Sequence, residues 1–354
     1  MHSAPYQPVF ELTRGDTVES IHIGAAAVVN PAGDLVAWFG DPDLKTFLRS
    51  TAKPLQILSF LEHGGQAHYN LTPPEIAIMC ASHSGTDEHV KLIQSIQKKT
   101  GVTETDLLCG VHPPMHEPTA EALRKRKELP TPNRHNCSGK HTGMVAYARM
   151  LDLPVFEYLN PAHPIQQAIL EVVSEMCGLP VQQIGLGTDG CSAPNFALPL
   201  RNVAWAFARL CDPEAGGVQP AARAAACRTV TSAMMSNPDL VGGPARFDTL
   251  LMQTGKGRIV VKGGAEAFQG IGLMPGALGP GSAALGIALK IADGDPRSRA
   301  YPAVALEVLH QLGALDSQEL ALLANFGPVY TVLNWRKLEV GQAHPCFQME
   351  YATS

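Results

Sequence analysis

The chain has 354 residues, 45% of them apolar and 17% charged, with a formal net charge of −5. That apolar content supplies a core and excludes an unfolded polyampholyte, and Lys and Arg scattered without an aromatic-basic stripe exclude nucleic acid or an anionic membrane as partner. No apolar run approaches the roughly 20 residues of a membrane span, so a small neutral or zwitterionic ligand is expected.

The opening MHSAPYQPVFELTRGD lacks the basic and apolar regions of a secretory signal, which predicts a cytoplasmic protein. In that compartment the eight cysteines read as buried thiols, metal ligands or catalytic groups rather than disulfides. Residues 8–40 then read as extended, with IHIGAAAVV and DLVAWFG flanking the turn-rich Asn30-Pro31-Ala32-Gly33-Asp34. Apolar spacing predicts a helix from Thr51 to Glu62, ended by His63-Gly64-Gly65. Further helices are predicted at about 73–81, 86–100, 117–127, 139–151 and 164–177, broken by Pro and Gly clusters. Val181 to Gly187 is a short apolar element, and helices at about 202–211 and 218–236 follow. Arg258–Lys262, Glu266–Leu273 and Ser282–Ala292 read as extended, before helices at about 298–312 and 316–324. Strands at both ends of the chain around a helical middle, about 51–255, predict an α+β fold in which both termini complete one antiparallel sheet with helices packed on it. One domain, 1–354, is the simplest organisation, because nothing in the chain forces a cut.

Chemistry concentrates at a few places. Ser50-Thr51-Ala52-Lys53 has S-x-x-K spacing, which puts a hydroxyl and an amine on one helix face. The tetrapeptide is weak by itself, since Ser95-Ile96-Gln97-Lys98 repeats it inside an amphipathic surface helix. Ser50 differs because Pro54, tolerated only in a first turn, pins the helix start beside it. The competing reading is an ordinary N-cap serine. Chain order supports the chemical one: Ser82 follows a helix in Cys80-Ala81-Ser82-His83-Ser84-Gly85, and Lys262-Gly263-Gly264 closes a strand near the far end. Penicillin-interacting serine enzymes carry S-x-x-K, an inter-helix serine and K-[ST]-G in that order. Here His83-Ser84 replaces Asp-Asn and Gly263 replaces Ser or Thr, which argues against a β-lactam substrate.

Arg134-His135-Asn136-Cys137-Ser138-Gly139-Lys140-His141 is dense in donors and leads into an apolar helix, which suits ligand capture. In Gly187-Thr188-Asp189-Gly190-Cys191-Ser192 the glycines admit close approach of backbone, and Asp189 is an anion for an α-ammonium group. The segments FLRSTAKPLQ, CASHSGTDEH, RHNCSGKHTGM and GTDGCSAPNFALPL closely resemble the rhizobial-type L-asparaginase family, and the likeness covers nearly the whole chain. The resemblance implies a serine β-lactamase/glutaminase-like fold, a homodimer, and hydrolysis of L-asparagine to L-aspartate and ammonia. It implies two Ser-Lys pairs, Ser50 with Lys53 and Ser82 with Lys262, with Ser50 as nucleophile. It also implies a zinc site at Cys137, Lys140 and Cys191, which spacing alone does not show, since two distant cysteines and a lysine match no usual zinc pattern.

A serine becomes a nucleophile only when a base takes its proton, so such a lysine must be neutral in the reactive state, which burial beside a second cation favours. Backbone N–H groups at the helix start beside Ser50 are the expected oxyanion donors. Asp189 is expected to meet the α-ammonium, with Arg49, His83, Asn136 and His141 as further contacts to carboxylate or amide. The zinc is expected to orient loops or tune affinity rather than supply the attacking hydroxide. Three alternatives stand beside this reading: a serine β-lactamase or peptidase, an enzyme using Cys137 or Cys191 as nucleophile with His135 or His141 as base, and a non-catalytic amino-acid or zinc-binding module.

Overall fold

The computed structural model describes residues 5–353; residues 1–4, the start of the stretch read for a secretory signal, and residue 354 lie outside the described part. Its strands in chain order are β1 (Gln7–Arg14), β2 (Thr17–Val29), β3 (Leu35–Phe39), β4 (Lys45–Phe47), β5 (Gly185–Thr188) and β6 (Pro194–Pro199). They continue with β7 (Ile259–Gly264), β8 (Phe268–Leu273), β9 (Leu285–Ile291), β10 (Tyr330–Leu333), β11 (Glu339–Pro345) and β12 (Glu350–Tyr351). Two compact units result, one from Met1–Thr46, Leu198–Gly216 and Thr254–Ser354, the other from Phe47–Ala197 and Gly217–Gln253.

The first unit is built on a nine-stranded sheet among the described residues, in the order β10-β11-β1-β2-β9-β8-β7, with β3 also on β2 and β12 on β3. The ladders are antiparallel, and β1 is held between β2 and β11, with Phe10 opposite both His22 and Pro345. Sheet completed by both ends of the chain is therefore the architecture, as the alternation of strands and helices predicts. Every residue of β8 and β9 is buried. Such strands read as unbroken apolar runs rather than alternating ones. The Leu200–Cys211 helix packs on β2, β8 and β9, and the Ala300–Gln311 helix on β1, β8, β9 and β11.

The second unit is helical. Pro73–Met79 packs on Asp87–Thr100, Ser138–Met150 and Ala221–Ser236. Its N-terminus carries a capping box in which Glu75 accepts the Thr72 N–H at 2.8 Å and also binds Lys99 Nζ at 2.7 Å. The Ser138–Met150 helix is the axis of this unit, with every residue from Ser138 to Ala148 buried. Gly139 permits that position, since a Cβ there would collide with the Ile78 carbonyl oxygen. A helix buried on all sides should be apolar all round. This one instead opens with Ser138, Lys140, His141 and Thr142, a polar cluster that packing alone does not require. Among the described residues no helix is long and apolar enough to cross a membrane.

Candidate active site

Ser50 lies in a single 3₁₀ turn, Arg49–Ala52, that leads into the helical turns Lys53–Gln56 and Leu58–Glu62. Pro54 sits in the first turn, where its missing N–H costs nothing. Arg49, the residue before Ser50, has a left-handed backbone with φ of 51°, a conformation that costs a bulky residue about 1–3 kcal/mol. Its N–H donates to Asn195 Oδ1 at 3.0 Å and its Nε to Asp189 Oδ1 at 2.6 Å.

Lys53 is fully buried. Its Nζ donates to the Ala81 carbonyl at 2.6 Å, to Ser82 Oγ at 3.0 Å and to the Asn136 carbonyl at 3.5 Å. Two segments far from it in sequence, at 81–82 and at 136, thus converge on the Lys53 amine. Ser82 stands just past the Pro73–Met79 helix and is fixed by its own N–H on the Val241 carbonyl at 3.0 Å. Lys262 belongs to the sheet unit, on β7 opposite Gly270 of β8; it is 1% exposed and its Nζ donates to the Gly263 carbonyl at 2.5 Å.

His83 has both ring nitrogens engaged. Nδ1 accepts the Gly85 N–H at 3.1 Å, so Nε2 carries the proton and donates to Ser138 Oγ at 2.9 Å, and that hydroxyl donates on to the Asn133 carbonyl at 2.9 Å. Burial first, then the neighbouring His89 and Lys53, push its pKa well below the ordinary histidine value. This imidazole is a neutral strut between two loops. His141 is the opposite case: its Nδ1 shares a hydrogen bond with the Tyr158 hydroxyl at 2.6 Å, that hydroxyl accepts the Leu108 N–H at 2.8 Å, and the buried Nε2 has no partner among the described residues. An unmet buried polar atom costs about 1–3 kcal/mol. Asn136 is held through its N–H by His112 Nε2 at 3.1 Å.

Cys137, Lys140, Asp189 and Cys191 form one buried cluster. Lys140 Nζ is 3.1 Å from Cys191 Sγ, and Cys191 Sγ is 3.6 Å from Asp189 Oδ2. A hydrogen bond from Cys191, together with Lys53, His135 and Lys140, draws the Cys137 thiol well below the ordinary thiol range against the cost of burial, while Cys191 keeps its proton. Burial opposes the charge on Lys140, but the single negative charge of the Cys191–Cys137 pair, together with Asp189, outweighs it and holds the ammonium above its usual range. Burial also opposes the Asp189 carboxylate, which Lys140 and Arg49 keep ionised below the usual range. Two sulfurs and an amine, all buried, are a donor set that fits zinc, provided the lysine gives up its proton. Among the described residues no group of three or more His, Cys, Asp or Glu side chains is arranged for a metal, so a site here depends on Lys140.

The helical unit contains Arg49, Ser50, Lys53, Ser82, His83, Asn136, Cys137, Lys140, His141, Asp189 and Cys191, with Lys53 joined to Ser82 and Asn136, and Arg49 to Asp189, Cys191 and Lys140 in series. Sequence reading passed over Asn195, Tyr158 and His112, which touch these residues from elsewhere in the unit. The N–H groups expected for an oxyanion are partly spent, Arg49 on Asn195 Oδ1 and Thr51 on the Leu48 carbonyl at 3.1 Å.

A family model described as L-asparaginase II matches residues 10–345. No curated protein matches the chain. Among solved structures, a probable glutaminase from Bacillus subtilis complexed with 6-diazo-5-oxo-L-norleucine is similar at 12% identity, over 82% of this chain and 83% of that one, with a TM-score of 0.39. A covalent complex of a Bacillus subtilis glutaminase with 5-oxo-L-norleucine is similar at 12% identity over 84% and 88%, with a TM-score of 0.39. A protein called Mglu, in its tris and glutamate form, is similar at 13% identity over 83% of this chain and 60% of that one, with a TM-score of 0.44.

Proposed function

Because the chain belongs to the L-asparaginase II family, we propose that it hydrolyses the side-chain amide of L-asparagine to L-aspartate and ammonia, with Ser50 as nucleophile. Family membership makes it an amidohydrolase; asparagine and glutamine differ by one methylene, worth only about 1–3 kcal/mol in a pocket, and the choice between them is the finer proposal. The observation that carries the mechanism is the buried Lys53 amine, 3.0 Å from Ser82 Oγ and three residues after Ser50.

In this scheme neutral Lys53 takes the Ser50 proton as Oγ attacks the amide carbon. The Ser50 N–H, left after its neighbours are spent, is assigned to the oxyanion. Collapse of the tetrahedral adduct breaks the C–N bond, the proton returns to the leaving nitrogen along the Lys53–Ser82 hydrogen bond, and ammonia departs. A β-aspartyl ester remains on Ser50, which water hydrolyses with the same base. Lys262→Met tests the second Ser-Lys pair that the family resemblance implies. Asp189 is assigned to the α-ammonium, and Arg49, Asn136 and the open His141 Nε2 to the carboxylate and amide. His83 holds the loops.

Cys137, Lys140 and Cys191 would hold zinc. Bound there, the ion would supply fixed geometry to the segments that carry Asn136 and Asp189. The homodimer implied by the family resemblance is likewise a proposal, read by sedimentation.

The test is ammonia release from asparagine and from glutamine by purified protein, with Ser50→Ala beside it. Turnover of asparagine that Ser50→Ala abolishes is expected. Nitrocefin turnover without ammonia would select the β-lactamase alternative, acylation lost in Cys137→Ser or Cys191→Ser but kept in Ser50→Ala would select a cysteine enzyme, and ligand binding without turnover would select the binding module.

A further inference from the structure

The geometry points to Asn195 as a positioning residue, which sets the Ser50 nucleophile by fixing the left-handed backbone of Arg49 before it. The inference rests on the proposed role of Ser50 and adds a group that does not touch the reacting atoms.

Glycine is the ordinary choice for a left-handed residue, because it has no Cβ to clash. At position 49 the chain carries arginine at φ 51° instead, and the arginine side chain is in use, since Nε donates to Asp189 Oδ1 at 2.6 Å. A residue held in that region persists only when its surroundings over-determine it. Here the determinant is one carbonyl: Asn195 Oδ1 accepts the N–H of Arg49 and the N–H of Phe196, each at 3.0 Å. One rung further, the Leu48 N–H donates to the Phe196 carbonyl at 3.0 Å. The side chain of Asn195 thus extends the hydrogen bonding of β6 by one step, onto the residue adjoining Ser50.

Asn195 is 5% exposed and lies opposite Gly187 in the β5–β6 ladder. Packing is close at that point, since a Cβ on Gly187 would stand 2.9 Å from the Phe47 ring. An acceptor in such a place cannot be replaced by bulk water without moving the chain. Without it, Arg49 can relax toward right-handed or extended backbone, and the Arg49–Ser50 peptide turns. Both the Ser50 N–H and the direction of Oγ are set by that peptide, so a loss of about 1 Å in alignment becomes a loss of rate.

The experiment compares Asn195→Leu, which keeps the volume without the acceptor, with Asn195→Asp, which keeps an oxygen able to accept both N–H groups. Asn195→Ala serves as the second variant should Asn195→Leu not fold. Ammonia release from asparagine is measured as kcat per folded enzyme, and the crystal structure of the leucine or alanine variant is determined. Expected are a kcat about 100-fold lower in Asn195→Leu and recovery to within about 10-fold of wild type in Asn195→Asp. The crystal structure should show Arg49 outside the left-handed region and Ser50 displaced. A merely structural role would lower the folded fraction and leave kcat per folded enzyme alone. Wild-type kcat in Asn195→Leu, no recovery in Asn195→Asp, or a variant structure with Arg49 still near φ 51° and Ser50 unmoved overturns the inference. If wild-type protein releases no ammonia, the functional reading fails by itself, and the variant structure still decides whether Asn195 holds this corner.

Discussion

Lys53→Met separates catalytic from structural roles of the buried amine. Methionine fills nearly the same unbranched volume without the charge or the donors, so packing around Leu55, Ala81 and the neighbouring helices survives. Two effects on stability oppose each other. The Ala81 carbonyl, bound at 2.6 Å in the wild type, loses its donor, at a cost of about 1–3 kcal/mol. Removal of a fully buried polar amine spares a desolvation penalty of similar size. Melting temperature should therefore change little. Turnover should behave otherwise, because a positioned general base contributes about 10²–10⁴-fold; we expect kcat to fall about 10³-fold, or ~4 kcal/mol at 1.36 kcal/mol per tenfold. The assay is coupled ammonia release from asparagine, with thermal unfolding run on the same samples. A stable Lys53→Met protein with kcat within about tenfold of wild type would refute Lys53 as the base.

Three other outcomes are expected. His83, depressed by burial and by His89 and Lys53, and His89, depressed by burial, take up protons less readily in the folded chain than in the unfolded chain, which protonates below about pH 6.5. Their contribution is thus complete above that pH and lost as pH falls below it, by up to about 1.4 kcal/mol per unit for each histidine; urea unfolding at pH 7.5 and 5.5 measures it, and His83→Asn should shrink the difference. Gly139→Ala should destabilise by about 1–3 kcal/mol through the clash with the Ile78 carbonyl, visible in the denaturant midpoint. Chelation of zinc-loaded protein should leave measurable ammonia release while altering KM, whereas complete, metal-reversible loss of kcat would place the ion in the chemistry.

Elements with strong local patterning were legible before any coordinates. The helices expected at 86–100, 139–151 and 164–177 appear as Asp87–Thr100, Ser138–Met150 and Pro164–Cys177, each within a residue at either end. The Tyr330–Leu333 and Glu339–Pro345 strands were not read, because they form a half-exposed hairpin at the sheet edge, where alternation is weak and the ladder itself supplies the order. At the site, the residues with distinctive chemistry could be named from short motifs, since hydroxyl, amine and thiol groups at fixed spacing are rare together. Asn195 and Tyr158 could not. Asn195 meets Arg49 across 146 positions, and an asparagine in an apolar run carries no local mark of the backbone it will bind. His83 was named as a contact to the ligand, but its neutral, fully engaged state could not be read, as its partners Gly85 and Ser138 settle its tautomer only once the loops meet.

The place of β1 between β2 and β11 has a consequence for synthesis. About 320 residues separate the end of β1 from the start of β11, and a ribosome adding about 5–20 residues per second needs tens of seconds to deliver the later strand. Throughout that interval one side of the nascent β1–β2 hairpin has unpaired peptide groups and no permanent neighbour. The newborn chain must be shielded or kept dilute until its tail arrives, and slowing translation ahead of residue 339 should raise the insoluble fraction of this protein.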